Sequence, residues 1–466
     1  MLPYCRENAK PKEEKSGADH MSAKSTVIRN ALVVSSLDTR LADILIRDGR
    51  IAAVGSAVGS AEEEIDAQGL HALPGALDPQ VHFRDPGMEW KEDLESGSRA
   101  AAAGGVTAFF DMPNTVPNTT TRELMAEKKE IASQKCLVNY GFFVGATSDN
   151  LTELNAVENV PGIKIFMAAS TGSLLVSDHA DIERIFQNGD RLIAVHSEDQ
   201  SIVEANKAQF AGSTNVEDHM RIRSVDAALA STRFLVEMAR KYERRLHILH
   251  LTTRDEVEYL RAEKIAGLIS TELCPQHFLL KAPDDYERLG TYAQMNPPIR
   301  TAAHGEALWQ GLKDGVIDCM ATDHAPHTRE EKDKPFGEAP AGMPGVETLL
   351  PLMLQQANLG RCSVNDVVKW LCEKPVELYG VQEKGRIAPG FDADIVLVDL
   401  KQTRTICDGQ LHSKCNWSPY DGWKIQGWPV ITLVNGNVVF RDGEFFDEVK
   451  GREVLFRNRG QVRSGS

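Results

Sequence analysis

The order of apolar and polar residues divides the chain into two β-rich ends and a long middle section. Near the amino end, short apolar runs are separated by turns, and the pair Asp48-Gly49 is typical of a β-hairpin. Near the carboxyl end the same pattern of apolar runs and turns recurs, with Asn435-Gly436 between two apolar runs. The sequence therefore predicts one small β-sandwich-like domain that both chain ends build, over residues 27–73 and 385–450.

In the middle section, apolar runs alternate with polar, amphipathic stretches of helical length, such as 122–134 and 224–240. Two strands are expected to lead to Asp78 and into Asp323. Six further runs are typical of buried strands: 106–110, 138–143, 163–167, 192–195, 246–249 and 269–273. Eight strand–helix repeats imply a closed parallel barrel, so the sequence predicts an α/β fold with a (β/α)8 TIM-type barrel over 74–384.

The remaining segments are the two termini. Residues 1–26 are rich in Lys, Glu, Ser and Ala and lack the apolar core of a secretory signal, so we expect a disordered extension, with Met21 as an alternative start. Residues 451–466 are expected to form a carboxyl-terminal tail.

Charge and cysteine content narrow the class of protein. The formal net charge of −15 argues against nucleic acid or an anionic membrane as a partner, and no apolar run reaches the length of a membrane span. The eight cysteines show no CxxC pair and no regular spacing, which is typical of reduced thiols in an intracellular protein. We therefore expect a cytoplasmic protein with neither nucleic acid nor a membrane as its partner.

Polar residues with metal-binding chemistry follow the predicted strands. In a barrel of this type the carboxyl ends of the strands carry the active site, so these residues should meet at one opening. Imidazole, amine and carboxylate groups at one opening are the composition of a metal site. The residues are His82, Asn114, Lys164, His196, His250 and Asp323.

Lys164 lies inside the apolar run 162–166. Burial should lower the pKa of its amine, and a neutral amine can add CO₂ to give an anionic carbamate that bridges two metal ions. The alternative is a lysine that extends to the barrel mouth or pairs with Asp323. His247 is expected to face away from His250, since three residues separate them on one strand.

Over residues 27–445 the chain resembles the cyclic amidohydrolases, the group that contains dihydroorotases, hydantoinases and allantoinases. Among these it is most similar to the dihydroorotases. Four segments carry the resemblance: Val-His-Phe-Arg-Asp-Pro-Gly at 81–87, Asp-Met-Pro-Asn-Thr at 111–115, Asn-Pro-Pro at 296–298 and Asp-His-Ala-Pro-His-Thr at 323–328.

The resemblance implies one or two zinc ions per subunit, with Asp323 as both a ligand and the group that moves the proton. The other implied ligands are His82, carboxylated Lys164, His196 and His250. The substrate carboxylate and ring would be held by Arg84, Asn114 and His327, with Asn296 and Gly342 as further contacts. The Gly- and Pro-rich loop 338–345 is typical of a loop whose backbone amides approach the ligand. Two alternatives stay open: Arg84 could pair with Asp85 or Glu92, and this loop could be a plain connection.

Gln80 departs from the family pattern, because it stands where the first histidine of a His-x-His pair is expected. An amide oxygen is a weaker zinc ligand than imidazole. Gln80 could therefore coordinate weakly, form a hydrogen bond behind the ligands, or leave one metal ion poorly held.

The resemblance implies reversible cyclisation of N-carbamoyl-L-aspartate to L-dihydroorotate in pyrimidine synthesis. Hydrolysis of hydantoins, dihydropyrimidines or allantoin is the first alternative, which Arg84 and Asn114 argue against. A non-catalytic scaffold is the second, and only Gln80 favours it. A homodimer or larger homo-oligomer is expected, with aspartate carbamoyltransferase as a candidate partner.

Overall fold

The computed structural model describes residues 25–170 and 172–457. The predicted extension at 1–26 therefore lies almost wholly outside the described residues, as do residues 458–466 of the predicted tail. Within the described ranges, no helix is both long enough and apolar enough to cross a membrane.

The described residues form eighteen strands. Their bounds are β1 Ser25–Val34, β2 Thr39–Arg47, β3 Arg50–Gly55, β4 Glu63–Asp66, β5 His71–Pro74, β6 Ala76–Val81, β7 Val106–Asp111, β8 Asn139–Phe142, β9 Val144–Gly145, β10 Ile163–Phe166, β11 Ile193–His196, β12 Leu246–Ile248, β13 Ile269–Leu273, β14 Cys319–Met320, β15 Ile395–Thr405, β16 Lys424–Val434, β17 Asn437–Arg441 and β18 Glu444–Phe445.

The same residues form fifteen α-helices. Their bounds are α1 Leu94–Ala103, α2 Arg122–Lys135, α3 Leu151–Ala156, α4 His179–Gln187, α5 Gln200–Gln209, α6 Asp218–Ile222, α7 Val225–Lys241, α8 Arg254–Glu263, α9 Gln276–Leu279, α10 Asp284–Leu289, α11 Ala302–Lys313, α12 Arg329–Lys332, α13 Leu349–Asn358, α14 Val364–Val368 and α15 Lys374–Tyr379.

Strands from both ends of the chain form one sheet, in the order β18-β17-β16-β15-β5-β1-β2-β3, with β4 paired to β1. The predicted hairpin at Asp48-Gly49 is present, since Arg47 pairs with Arg50 and both turn residues have positive φ. Gly49 also lies against Asn435, whose carbonyl oxygen would be 2.7 Å from an added Cβ. The two predicted hairpin turns therefore contact each other.

The middle section forms the barrel. Parallel pairing links β6 to β8 and, separately, β9 to β14. The barrel is closed between its first and last strands by a bridge from Val81 to His324, where the His82 amide donates to the His324 carbonyl at 2.7 Å. This closure brings the residues after Val81 next to those after Met320.

Local chemistry explains where two predicted helices begin. Thr121 accepts a hydrogen bond from the Leu124 amide at the start of α2, and Ser224 accepts one from the Ala227 amide at the start of α7. Both helices pack on the barrel through buried residues such as Met125 and Leu235. These helices form part of the outer layer around the barrel strands.

His247 is the clearest error of strand alternation. It is fully buried, and its Nε2 lies 3.0 Å from Glu272 Oε2 while its ring packs beside Tyr379. β12 ends at Ile248, and His250 has a φ of 36°, so regular alternation stops before His250 is reached. The prediction that the two histidines face opposite ways was therefore wrong.

Residues 451–457 run along the barrel. Tyr140 of β8 donates its amide to the Arg452 carbonyl at 3.0 Å, and the Val454 amide donates to the Tyr140 carbonyl at 2.8 Å. Phe456 packs 5.4 Å from the Phe110 ring.

Candidate active site

The strand ends surround one small cavity. Ten of the residues that the sequence analysis named line it: Gln80, His82, Arg84, Asn114, Lys164, His196, His250, Asn296, Asp323 and Gly342. Four residues that it did not single out as site residues also line the cavity: Phe166, Ser170, Ala325 and Ala341. His327 lies behind this wall and contacts Arg84.

Asp323 is the meeting point of the first and last barrel strands. Its Oδ1 lies 3.1 Å from His82 Nε2 and accepts a hydrogen bond from Gln80 Nε2 at 3.0 Å. Burial raises the pKa of Asp323 to about 7, although Lys164 and other cations oppose this effect. A carboxyl group with this pKa can both accept and release a proton near neutral pH.

His82 has its tautomer set by Asn114. Its Nδ1 lies 2.7 Å from the Asn114 carbonyl oxygen, an acceptor, so Nδ1 carries the proton. Nε2 then presents a lone pair to the Asp323 carboxylate. Burial, with Arg84 and Lys164 nearby, lowers the pKa of His82 well below its usual value, so the ring stays neutral.

Lys164 is buried on β10, and its Nζ has no hydrogen-bond partner among the described residues. Burial lowers its pKa to about 7, and the ammonium position lies 4.4 Å from the Phe166 ring centre. The pairing with Asp323 that the sequence left open is not formed as an ion pair. An amine with this pKa is partly neutral, which is the state that adds CO₂.

His196 and His250 turn their nitrogens toward each other. His196 Nδ1 lies 3.1 Å from His250 Nε2, whereas His196 Nε2 lies 2.8 Å from Glu198 Oε2. Glu198 is fully buried and also pairs with Arg223. Because a carboxylate accepts the Nε2 proton, His196 Nδ1 is left as a lone-pair donor.

The sequence analysis missed Glu198 and Arg223. Burial favours the neutral form of Glu198, but Arg223 and His196 outweigh it and lower its pKa to about 2. The spacing His-Ser-Glu at 196–198 was a usable signal, because residues two apart at a strand end can share a face.

Arg84 is 2 % exposed and holds a φ of 64°. Its Nε donates to the Pro326 carbonyl at 3.3 Å, and its Nη1 has no partner among the described residues. Neither alternative partner is engaged, since Asp85 pairs with Lys135 and Glu92 accepts hydrogen bonds from the Ser413 hydroxyl and the Lys414 amide. Burial lowers the pKa of Arg84 to about 10, so the guanidinium stays charged at neutral pH.

His327 is oriented by a second buried cation. Lys91 Nζ lies 3.0 Å from His327 Nδ1, and since an ammonium only donates, the imidazole proton must be on Nε2. Nε2 lies 3.2 Å from the Ala341 carbonyl and 3.5 Å from Arg84 Nη2. Lys91 is a further residue that the sequence analysis did not identify.

Gly342 and Asn296 form the opposite wall of the cavity. Gly342 has a φ of 143°, and a Cβ there would lie 2.5 Å from the Ala325 carbonyl, so only glycine fits. Its amide donates to the Gln294 carbonyl at 2.8 Å. The Asn296 side-chain oxygen is buried without a partner among the described residues.

The donor set fits a metal ion. His82 Nε2 and Asp323 Oδ1 lie 3.1 Å apart, and when Asp323 is ionised both present lone pairs, an arrangement that a bound cation stabilises. A second convergence lies at His196 and His250, and burial is the first cause of the lowered pKa of all three imidazoles. A separate buried group, whose ligand atoms lie within 4.8 Å of one another, consists of His247, Glu272 and Cys319.

Three site residues hold backbone conformations that are unusual for residues other than glycine. The φ angles are 64° at Arg84, 36° at His250 and 49° at Asp323. Such strain persists only where the surrounding structure imposes it, and it concentrates at functional sites. Its occurrence at three cavity residues supports a functional role for the cavity.

The chain is similar to known proteins over nearly its whole length. The chain is 35% identical to a dihydroorotase of Methanosarcina acetivorans, covering 94% of this chain and 95% of the relative. It is 38% identical to a dihydroorotase of Halobacterium salinarum, covering 92% and 99%. The solved structure of an L-hydantoinase (dihydropyrimidinase) from Arthrobacter aurescens superposes with a TM-score of 0.87 at 32% identity, covering 92% of this chain and 99% of that one.

The model of the amidohydrolase family matches residues 71–439, which include the whole barrel and strands β5, β15 and β16 of the nine-stranded sheet. The extent of this match, together with relatives above 30% identity over nearly the full chain, shows that the chain belongs to the amidohydrolase family.

Proposed function

We propose that the protein is a dihydroorotase, which interconverts N-carbamoyl-L-aspartate and L-dihydroorotate in pyrimidine synthesis. One observation carries the proposal: the buried, charged guanidinium of Arg84 opens into the cavity that contains Asp323. A cation buried without a carboxylate partner calls for an anionic ligand, and dihydroorotate carries a carboxylate next to the ring amide.

The residues around Arg84 complete a site for a carboxylated ring. Arg84 Nη1 supplies an N–H without a partner, and the two nitrogens of a guanidinium edge match the two oxygens of a carboxylate. The open Asn296 oxygen can accept a ring N–H. His327 lies behind Arg84 and donates its Nε2–H to the Ala341 carbonyl at 3.2 Å, so we assign it to positioning Arg84 for the substrate carboxylate.

Amidohydrolases are generally metal-dependent enzymes. In this chain His82, Lys164 as a carbamate, His196, His250 and Asp323 would hold one or two zinc ions. Bound zinc supplies a water of lowered pKa and polarises the scissile carbonyl.

Asp323 is the proton carrier. During ring opening it takes the proton of the attacking water and delivers it to the leaving ring nitrogen; during ring closure the transfer runs in reverse. Gln80 lies where its amide hydrogen bonds to Asp323 Oδ1, so we assign Gln80 to orienting this carboxylate. A hydrogen bond from an amide holds the acceptor without competing for its proton.

A hydantoinase is the second candidate, favoured by the similarity to the solved L-hydantoinase structure. A ring without a carboxylate would leave Arg84 buried and unpaired, which opposes this candidate. The scaffold alternative rests on Gln80 alone. We also propose that the protein is cytoplasmic and forms a homodimer or a larger homo-oligomer that associates with aspartate carbamoyltransferase. Size-exclusion chromatography with and without that enzyme tests the assembly.

The deciding experiment measures turnover of dihydroorotate, carbamoyl aspartate, hydantoin, dihydrouracil and allantoin by zinc-loaded protein. We expect activity with the first two and loss of both activities in Asp323→Asn at unchanged metal content. Asp442→Asn is a matched control, since Asp442 is exposed and has a φ of 50° against 49° for Asp323. Preference for an uncharged ring, or an Asp323→Asn variant with more than a few per cent of wild-type kcat, would refute the proposal.

A further inference from the structure

Lys332 is a fully buried lysine on α12 that takes no part in the chemistry proposed above. Its Nζ donates three hydrogen bonds, all to backbone carbonyls. The acceptors are Pro340 at 2.8 Å, Gly342 at 3.1 Å and Gln294 at 3.3 Å. Burial lowers the pKa of Lys332 to about 7. In its ammonium form the group has three N–H donors and no acceptor, so this set satisfies that form completely.

These carbonyls belong to the two segments that form one wall of the cavity. Gln294 lies two residues before Asn296, and Pro340 and Gly342 flank Ala341. Only one hydrogen bond among the described backbone groups joins the segments directly, from the Gly342 amide to Gln294 at 2.8 Å. Lys332 is the second connection, and the Pro340 and Gly342 carbonyls have no other donor in the described residues.

The backbone around Asn296 is held on both sides as well. His219 Nε2 lies 2.9 Å from the Met295 carbonyl, and His277 Nε2 lies 3.1 Å from the Pro297 carbonyl. A carbonyl accepts, so each imidazole donates. Asn296 thus sits on a fixed backbone while its own side-chain oxygen stays open to the cavity.

A buried ammonium is costly unless hydrogen bonds compensate for its lost hydration. Here three carbonyl dipoles do so, and the Trp417 ring lies 5.7 Å from Nζ. Trp417 in turn donates its indole N–H to the His327 carbonyl at 2.8 Å. Lys332 therefore connects the wall that carries Asn296 with the segment that carries His327.

We propose that Lys332 is a positioning residue for substrate recognition, which holds the wall of Asn296 and Gly342 at its distance from Arg84. The proposal deepens the proposed function and rests on it for the identity of the substrate. Lys332 touches no reacting atom, so its loss should weaken substrate binding and leave the proton transfer at Asp323 intact.

The test is Lys332→Met in the zinc-loaded enzyme, with Lys334→Met as the matched control, since Lys334 is exposed two residues later. Two backbone carbonyls lose their donor, so we expect KM for dihydroorotate to rise about tenfold or more, with kcat within about threefold and unchanged zinc content. Lys334→Met should match the wild type. In an Asn296→Ala background, Lys332→Met should raise KM much less, because the two residues act through one contact.

A KM for Lys332→Met within twofold of the wild type would overturn the proposal, as would full additivity with Asn296→Ala. Parallel loss of kcat and zinc would also overturn it, because it would place Lys332 in support of the metal site. Should Lys332→Met not fold, Lys332→Arg carries the test by the same criteria, since a guanidinium keeps the charge but cannot direct three N–H groups to the same carbonyls. If neither variant folds, Lys332 serves the fold and the assignment is wrong.

The two proposals fail in different ways. If the wild-type enzyme does not turn over dihydroorotate, the proposed function is wrong. KM of Lys332→Met for whichever cyclic amide is hydrolysed then still tests the role of Lys332.

Discussion

Replacing Arg84 by Met isolates the interaction that selects the substrate. Met has a similar length and can fill the buried space, but it has neither the charge nor the N–H donors. Arg84 already gives its Nε to the Pro326 carbonyl, while Nη1 is buried without a partner among the described residues. The substitution therefore removes the N–H group that is available to a ligand and leaves the substrate carboxylate in a buried site without its cation.

The size of the effect follows from this geometry. A hydrogen bond to a charged group contributes about 1.5–3 kcal/mol, and the Nη1 edge provides at least one such bond. Since about 1.4 kcal/mol corresponds to a factor of ten, the expected loss is about 10- to 150-fold. The loss should fall on KM, because the carboxylate is bound equally before and during ring opening.

Steady-state kinetics of dihydroorotate hydrolysis measure this loss directly. Arg47→Met is a suitable control, because it is the same substitution at an exposed arginine on β2, outside the cavity. Arg84→Lys should recover only part of the affinity, because an ammonium keeps the charge but cannot bind two carboxylate oxygens in a plane. Dihydrouracil, which has no carboxylate, should gain nothing from Arg84→Met.

An unchanged KM for dihydroorotate in Arg84→Met would refute the reasoning. It would mean that the guanidinium supports the 323–328 segment through Pro326 rather than binding substrate. A fall in kcat at constant KM would point to the same conclusion. Either result would revive a hydantoinase that acts on uncharged rings.

Three further outcomes are expected. Gln80→Ala should keep most of its zinc while His82→Ala loses it, as measured by metal analysis after mild chelation, because the Gln80 amide contacts Asp323 as a donor. Glu198→Gln should weaken zinc binding about 10- to 100-fold in competition titrations, because the carboxylate orients a ligand imidazole. His412 Nδ1 lies 2.9 Å from Glu347 Oε1, and this contact raises the pKa of His412. His412→Asn should therefore lower the Tm when the pH is below about 6.5, the pKa of an unfolded-state histidine, and the difference from the wild type should shrink as the pH rises through the higher folded-state pKa. A Tm difference that stays constant with pH would contradict this prediction.

Much of this protein follows from local sequence chemistry. The turn at Asp48-Gly49 and the cap at Ser224 are encoded by residues that favour those conformations wherever they occur. The barrel strands are apolar runs that can be buried on both faces, so eight such runs with helices between them indicate the fold. The residues at the strand ends then follow from the barrel, because its topology collects those ends at one opening.

The contacts between those residues depended on the tertiary structure. His82 and Asp323 are 241 positions apart, and only closure of the barrel between its first and last strands brings their side chains to 3.1 Å. The side on which His247 lies depended on where β12 ends, which strand alternation alone cannot determine. The free edge of Arg84 depended on which neighbouring carboxylates were already paired.

The buried charged groups behind the cavity show most clearly which contacts could not be predicted from the sequence. In the sequence, Glu198 and Lys332 are ordinary charged residues, of the kind that usually faces solvent. They acquire a function because the fold removes them from water and leaves only particular partners, His196 and Arg223 for one and three carbonyl groups for the other. Burial gives those contacts their energy, and burial is a property of the whole packed chain.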